Sequence, residues 1–154
     1  MKSKEIEISA KERRREVLKS QSRFGARLYN QMDDGVFPWI KMPSRSIENI
    51  FYSPELRQYV LGDKTVRRSA RNIRHIRPFT QLVWGGYFAS ELAKNRKTST
   101  LRDVYYSAQA YDMSFKDQAE SNGIVTDLET VTGFSREDFN VFPEERSAIF
   151  GDLT

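Results

Sequence analysis

The chain has 154 residues, 38% hydrophobic and 12% aromatic, with no cysteine and one histidine. That content supports a packed core and excludes disulfides, cysteine–zinc sites, thiol catalysis and histidine-cluster metal sites. The net charge is +4 but unevenly spread: residues 1–97 hold 21 Lys/Arg against 10 Asp/Glu, and residues 98–154 hold 4 against 11.

The basic half points to a polyanion partner or to a solvated basic surface. The N-terminus "MKSKEIEISAKERRRE" is too charged for a secretory signal, and the longest apolar run, "LVWGGYFA", is too short to span a bilayer. The absence of cysteine fits a cytoplasmic location.

In chain order, Ser9 is the expected N-cap of a first helix, with "SAKE" as its capping box and Glu12 at N3. Val17, Leu18, Phe24, Leu28, Tyr29 and Met32 follow at helical spacing, and Gly35 stops the helix. "FPWIKMPSRSIENIFY" reads as an extended connector or edge strand, since Pro38 and Pro43 bracket its short apolar piece. "LRQYVLGDKTVRR" reads as a β-hairpin turning near Gly62-Asp63.

A second helix is expected from Pro78 to about Lys94, followed by a polar turn, "KNRKTST". A third starts at Thr100, with Asp103 completing a capping-box variant, and a fourth runs from about Ser121 to Val131, ending near Gly133. "NVF", "PEER" and "SAIFG" then read as strand, turn and strand. The last three helices and the hairpin have the order of a winged-helix domain. The expected fold is therefore mainly α with small β. It divides into an N-terminal amphipathic, partner-docking helix (residues 1–35), an extended and β-hairpin segment with an arginine cluster (36–77) and a winged-helix domain of the catabolite-activator-like type (78–154).

Two constellations carry chemistry. In "VRRSARNIRHIRPF", Arg67, Arg68, Arg71, Arg74 and Arg77 fall close together. A guanidinium keeps its charge and donates two parallel hydrogen bonds, which suits a phosphate backbone. The alternative is an exposed basic surface or pairing with local carboxylates. In "TLRDVYYS", a helix from Thr100 puts Leu101, Tyr105 and Ala108 on one stripe, so Tyr105 faces the core. Tyr106 then shares a polar side with Arg102, Asp103 and Gln109. A phenol is a weak nucleophile near neutral pH, and a neighbouring guanidinium favours its phenolate and can neutralise a phosphate oxygen. Spacing alone leaves Arg102–Tyr106 open between a phosphodiester-attacking pair and a structural tyrosine pair beside an intrahelical Arg–Asp contact. No Asp-x-Asp occurs, and "DLE" at 127–129 reads as part of a solvated helix face, so no metal site is expected in the chain.

The stretches "ISAKERRREVL", "PSRS", "YVLGDKTVRRSARNIRHIRPFTQLVW", "TSTLRDVYYSA", "FKDQAES", "DLE" and "PEERSAIFGDL" together resemble the A subunits of archaeal topoisomerase VI, the type IIB DNA topoisomerases. Meiotic double-strand-break proteins are more distantly similar. The resemblance implies a winged-helix domain whose second motif tyrosine, Tyr106, attacks double-stranded DNA to form a reversible 5′-phosphotyrosyl break. It implies that Arg102 contacts the scissile phosphate. It implies that residues 1–35 dock on an ATPase B subunit within an A2B2 enzyme. The family protein continues into a Toprim domain that holds Mg2+, while ATP is bound by the B subunit. This sequence stops at Thr154, so the expectation is weak DNA binding and no cleavage by the chain alone. A non-catalytic winged-helix DNA-binding module, or an ATPase-docking module, is the alternative.

Overall fold

The computed structural model describes residues 2–144, with side chains from residue 9 onward. The fold is mainly α with small β. In chain order it runs α1 (Lys2–Asp33), β1 (Trp39–Pro43), a 3-10 turn (Ile47–Asn49), β2 (Ile50–Ser53), β3 (Gln58–Leu61) and β4 (Thr65–Ser69). Then come α2 (Ile73–Asn95), β5 (Ser99–Thr100), α3 (Leu101–Gln109), α4 (Gln118–Thr132) and β6 (Val141–Phe142).

The first helix starts well before Ser9. "KSKEIEI" contains no breaker, so nothing stops the helix from continuing through the expected capping box, and Ser9 is an exposed interior residue. Its inward stripe is Val17, Gln21, Phe24 and Leu28. Tyr29 and Met32, expected on that stripe, are exposed. Gln31 turns inward in their place, and its side-chain oxygen accepts the Trp39 backbone N–H at 2.8 Å, which fixes the start of β1 against α1. Gly35 ends the turn in the left-handed region at φ 74, as expected of a helix stop.

The β segment is nested. The strands expected on either side of Gly62-Asp63 exist but do not pair with each other. β3 pairs with β2 across a turn at residues 54–57, and β4 pairs with β1, both antiparallel. Asn49 explains the rearrangement. It is buried, its side-chain N–H groups donate to Ser44 O at 2.7 Å and Lys64 O at 3.1 Å, and its oxygen accepts Lys64 N at 3.0 Å. One side chain thus closes the outer pair of strands over the base of the inner hairpin. Gly62 is required there, because a Cβ would lie 2.7 Å from Asn49 Oδ1 and 2.6 Å from the Phe51 ring.

α2 begins five residues before Pro78. Asn72 caps it by accepting Arg74 N at 3.0 Å, and the helix forms through Pro78, whose missing N–H leaves the Arg74 carbonyl without its helical donor. Arg74 and Arg77 therefore sit on the first turns of α2. The segment read as a polar turn after α2 contains β5, which pairs in parallel with β6. α3 has the expected Thr100–Asp103 capping box, with both reciprocal bonds present. α4 is longer than expected at its start: Asp117 caps it by accepting Glu120 N at 2.9 Å, and Gly133 closes it in the left-handed region. "NVF" supplies β6, whereas "SAIFG", the second strand of the expected wing, lies outside the described residues.

One apolar cluster joins these elements. Leu82, Trp84 and Leu92 of α2 meet Val104 and Ala108 of α3, Ile124 and Leu128 of α4, Val17 and Phe24 of α1, and Ile40 of β1. The glycine pair in "LVWGGYFA" permits this closeness. A Cβ at Gly86 would lie 3.2 Å from Gln21 of α1, and one at Gly85 would lie 3.3 Å from Ile124 of α4. Among the described residues no helix is long and apolar enough to cross a membrane.

Candidate functional site

α3 is short, and its orientation is fixed from two sides. The capping box anchors its first turn, and Leu101, Val104 and Ala108 bury one face. Adjacent helix positions differ by about 100°, so the two tyrosines separate. Tyr105 packs half-buried against the core, while Tyr106 is exposed at 51%. Their rings meet edge to face at 5.2 Å.

Arg102, one turn before Tyr106, lies with its guanidinium carbon 5.7 Å from the centre of the Tyr106 ring. The contact is guanidinium over ring, a cation–π arrangement. The Arg102 pKa is raised above the ordinary arginine value, chiefly by the Tyr106 hydroxyl, with Glu144 and Asp103 adding to it. Glu144 is held at the end of β6 by a 3.1 Å hydrogen bond from Gln118 of α4. A permanent cation, an exposed phenol and open solvent above both make a surface that an extended anion can reach.

The carboxylates here do not suit a divalent cation. Asp103 accepts the Thr100 backbone N–H, and no three acidic or histidine side chains converge among the described residues.

The five arginines do not form one patch. Arg67 projects from the outer face of β4, with its guanidinium stacked 4.1 Å over the Trp39 ring. Arg68, on the opposite face, donates to Asp127 at 2.9 Å. Arg71 lies in the turn before α2, its backbone N–H bonded to Ser69. Arg74 is exposed on the first turn of α2, and Arg77 binds Glu120 at 3.1 Å and the Ser114 carbonyl at 3.3 Å, tying α2 to the start of α4.

Sequence reasoning missed Asp127. It was expected on a solvated face but is 4% exposed, and it accepts hydrogen bonds from Arg45 at 2.6 Å and Arg68 at 2.9 Å. Glu129, of the same stretch, makes a two-point contact with Arg136. The available signal was the position of Asp127 between Val125 and Leu128 in a helix whose apolar stripe would otherwise be unbroken. A carboxylate there needs a cationic partner.

Residues 77–141 match the family described as type IIB DNA topoisomerase, a span that contains α3, Arg102 and both tyrosines. Over most of its length the chain is then similar to the A subunits of archaeal type 2 DNA topoisomerase 6. It is 37% identical to that of Methanothermobacter thermautotrophicus over 92% of this chain and 40% of the relative. It is 36% identical to that of Methanosarcina acetivorans, over 96% and 41%, and 38% identical to that of Halobacterium salinarum, over 81% and 35%. The chain thus spans about two-fifths of the length of these relatives.

Proposed function

We propose that this chain is the DNA-binding and DNA-cleaving part of a type IIB topoisomerase, belonging to its A subunit, with Tyr106 as nucleophile and Arg102 as its phosphate-binding partner. The observation that carries this is the division of the tyrosine pair: Tyr105 packs half-buried against the core and Tyr106 faces solvent beside the Arg102 guanidinium.

In this reading the Tyr106 oxygen attacks a backbone phosphorus. The bond to the 3′ oxygen breaks, a 5′-phosphotyrosyl bond forms, and the phenol proton leaves as the 3′ oxygen gains one. One phosphodiester is exchanged for another, so the step reverses without an energy source when the 3′-hydroxyl attacks the phosphotyrosine. Arg102 holds a non-bridging phosphate oxygen and offsets charge as it builds on the transferring group. The winged-helix arrangement presents α3 to duplex DNA, and two copies cut opposite strands. Residues 1–35 dock on the ATPase B subunit of an A2B2 enzyme. ATP and Mg2+ are supplied from outside this chain.

The test is covalent trapping in the assembled enzyme. Tyr106→Phe should abolish the protein–DNA adduct trapped by denaturant and the relaxation of supercoiled DNA, while leaving DNA affinity within about twofold. Tyr105→Phe should retain both activities. Adduct formed at full yield by the Tyr106→Phe enzyme would refute the assignment.

A further inference from the structure

In an antiparallel pair, side chains directly opposite one another lie about 5 Å apart at Cβ, and like charges there are destabilising. Lys41 of β1 stands directly opposite Arg67 of β4. Both are exposed, and neither is within ion-pair distance of a carboxylate among the described residues. The neighbouring arginines behave differently. Arg68, one residue on and therefore on the inner face, is neutralised by Asp127, which also takes Arg45. Among the described residues, the inner cation of this sheet, Arg68, has a carboxylate partner and the outer pair has none.

The outer face is also ordered. Its residues are Trp39, Lys41 and Pro43 on β1 and Thr65, Arg67 and Ser69 on β4. The Trp39 ring holds the Arg67 guanidinium at 4.1 Å, and the Trp39 backbone is itself fixed to Gln31 of α1. Stacking restricts the plane of the guanidinium but leaves its N–H edge free to donate, which lowers the entropy lost when it meets an anion. Ser69 Oγ accepts the Arg71 N–H, so its hydroxyl proton is available to donate, and Arg71 itself is exposed just beyond the strand.

We infer that this outer β1–β4 face, through Lys41 and Trp39-stacked Arg67, grips the sugar-phosphate backbone of duplex DNA at a second surface on a different element from the Tyr106 helix. The inference rests on the reading that the chain binds DNA. Two opposed cations match consecutive phosphates, and the anion removes the repulsion that the empty face retains. The Trp39 ring face is covered by a guanidinium, so it offers no platform for an unstacked base. The contact is therefore to backbone, without sequence preference.

The test is binding of the chain to a fluorescent 30-base-pair duplex as a function of salt. With Lys41→Gln and Arg67→Gln combined, the slope of log affinity against log salt should fall by about two, one for each cation, and equally for unrelated sequences. Arg67→Lys alone should keep the parental slope. An unchanged slope in the double variant, with the parent binding normally, overturns the inference alone. A parent that binds no duplex overturns the DNA reading itself. Displacement by single-stranded DNA or polyglutamate as effective as by duplex, at equal charge, would show that the face takes some other anion. A melting temperature equal to the parent's excludes loss of fold as the cause, and Arg67→Gln alone, which should lower the slope by about one, provides a second reading if the double variant melts early.

Discussion

Asp127→Asn should be among the most costly single-atom changes in the chain. The carboxylate is 5% exposed at its side chain and receives one arginine from the loop after β1 and another from β4, so it joins the N-terminal sheet to α4. Charge-assisted hydrogen bonds contribute about 1.5–3 kcal/mol each, and breaking a fully buried pair costs about 3–5 kcal/mol. Arg45 is 40% exposed and can turn to water, whereas Arg68, 20% exposed, cannot do so fully. The loss should therefore be about 3 kcal/mol, most of it from Arg68 left beside a neutral amide. In a chain of this size that lowers the melting temperature by roughly 6–12 °C. Urea denaturation followed by circular dichroism measures it directly. Arg68→Gln should cost more than Arg45→Gln, and a double-mutant cycle with Asp127→Asn should give a larger coupling for Arg68. A loss below about 1 kcal/mol for Asp127→Asn, or equal costs for the two arginines, would refute the assignment of Asp127 as the joint between sheet and helix.

Two further tests probe how α3 and α1 are held. Thr100→Ala removes half of the capping box and should cost about 1 kcal/mol, with adduct formation by the assembled enzyme falling as α3 frays; urea denaturation and trapped-adduct yield measure the two effects. Asp138 is held down to about 2 chiefly by its hydrogen bonds from Arg13, against an ordinary value of 3.8. A depressed carboxylate stabilises above its unfolded value and loses that contribution as pH falls toward 2. Asp138→Asn should thus melt about 2 °C below the parent at pH 6, a small gap because the Arg13 side is mostly exposed, and the gap should close between pH 4 and pH 2. A gap that is constant with pH, measured by thermal melting, would mean that the contact is not ionic.

The features legible in the sequence were those set by local chemistry. Thr100 and Asp103 at the right spacing specify a helix start whatever surrounds them, and Gly35 and Gly133 specify two helix ends. The tyrosine division was legible for the same reason, since α3 is too short for its apolar stripe to be ambiguous. What sequence spacing misjudged depends on residues far apart. Asn49 reaches Lys64, fifteen positions on, and that long-range bond decides which strands pair. No turn rule applied to Gly62-Asp63 could reveal it. The start of α2 was displaced because Pro78 is a strong local signal for a first turn, yet Asn72 caps earlier and the helix tolerates the proline. The Ser9 box failed in the opposite direction: a good cap does not begin a helix when the residues before it are equally helical.

Arg67 and Arg68 are adjacent in sequence, and in a run of arginines they count alike. The strand pleat sends one outward over Trp39 and the other inward to Asp127, so one cation is available to a partner and its neighbour is part of the fold. Tyr105 and Tyr106 divide in the same manner under helical rather than strand geometry. The inward members are held differently, Arg68 by its bond to Asp127 and Tyr105 by packing against the apolar cluster, while backbone geometry turns each neighbour outward. A mutation scan that treats the arginine run as one electrostatic patch would therefore confuse two effects. Loss of Arg68 should appear as instability at any salt concentration, whereas loss of Arg67 should appear as a weaker salt dependence of DNA binding at constant stability.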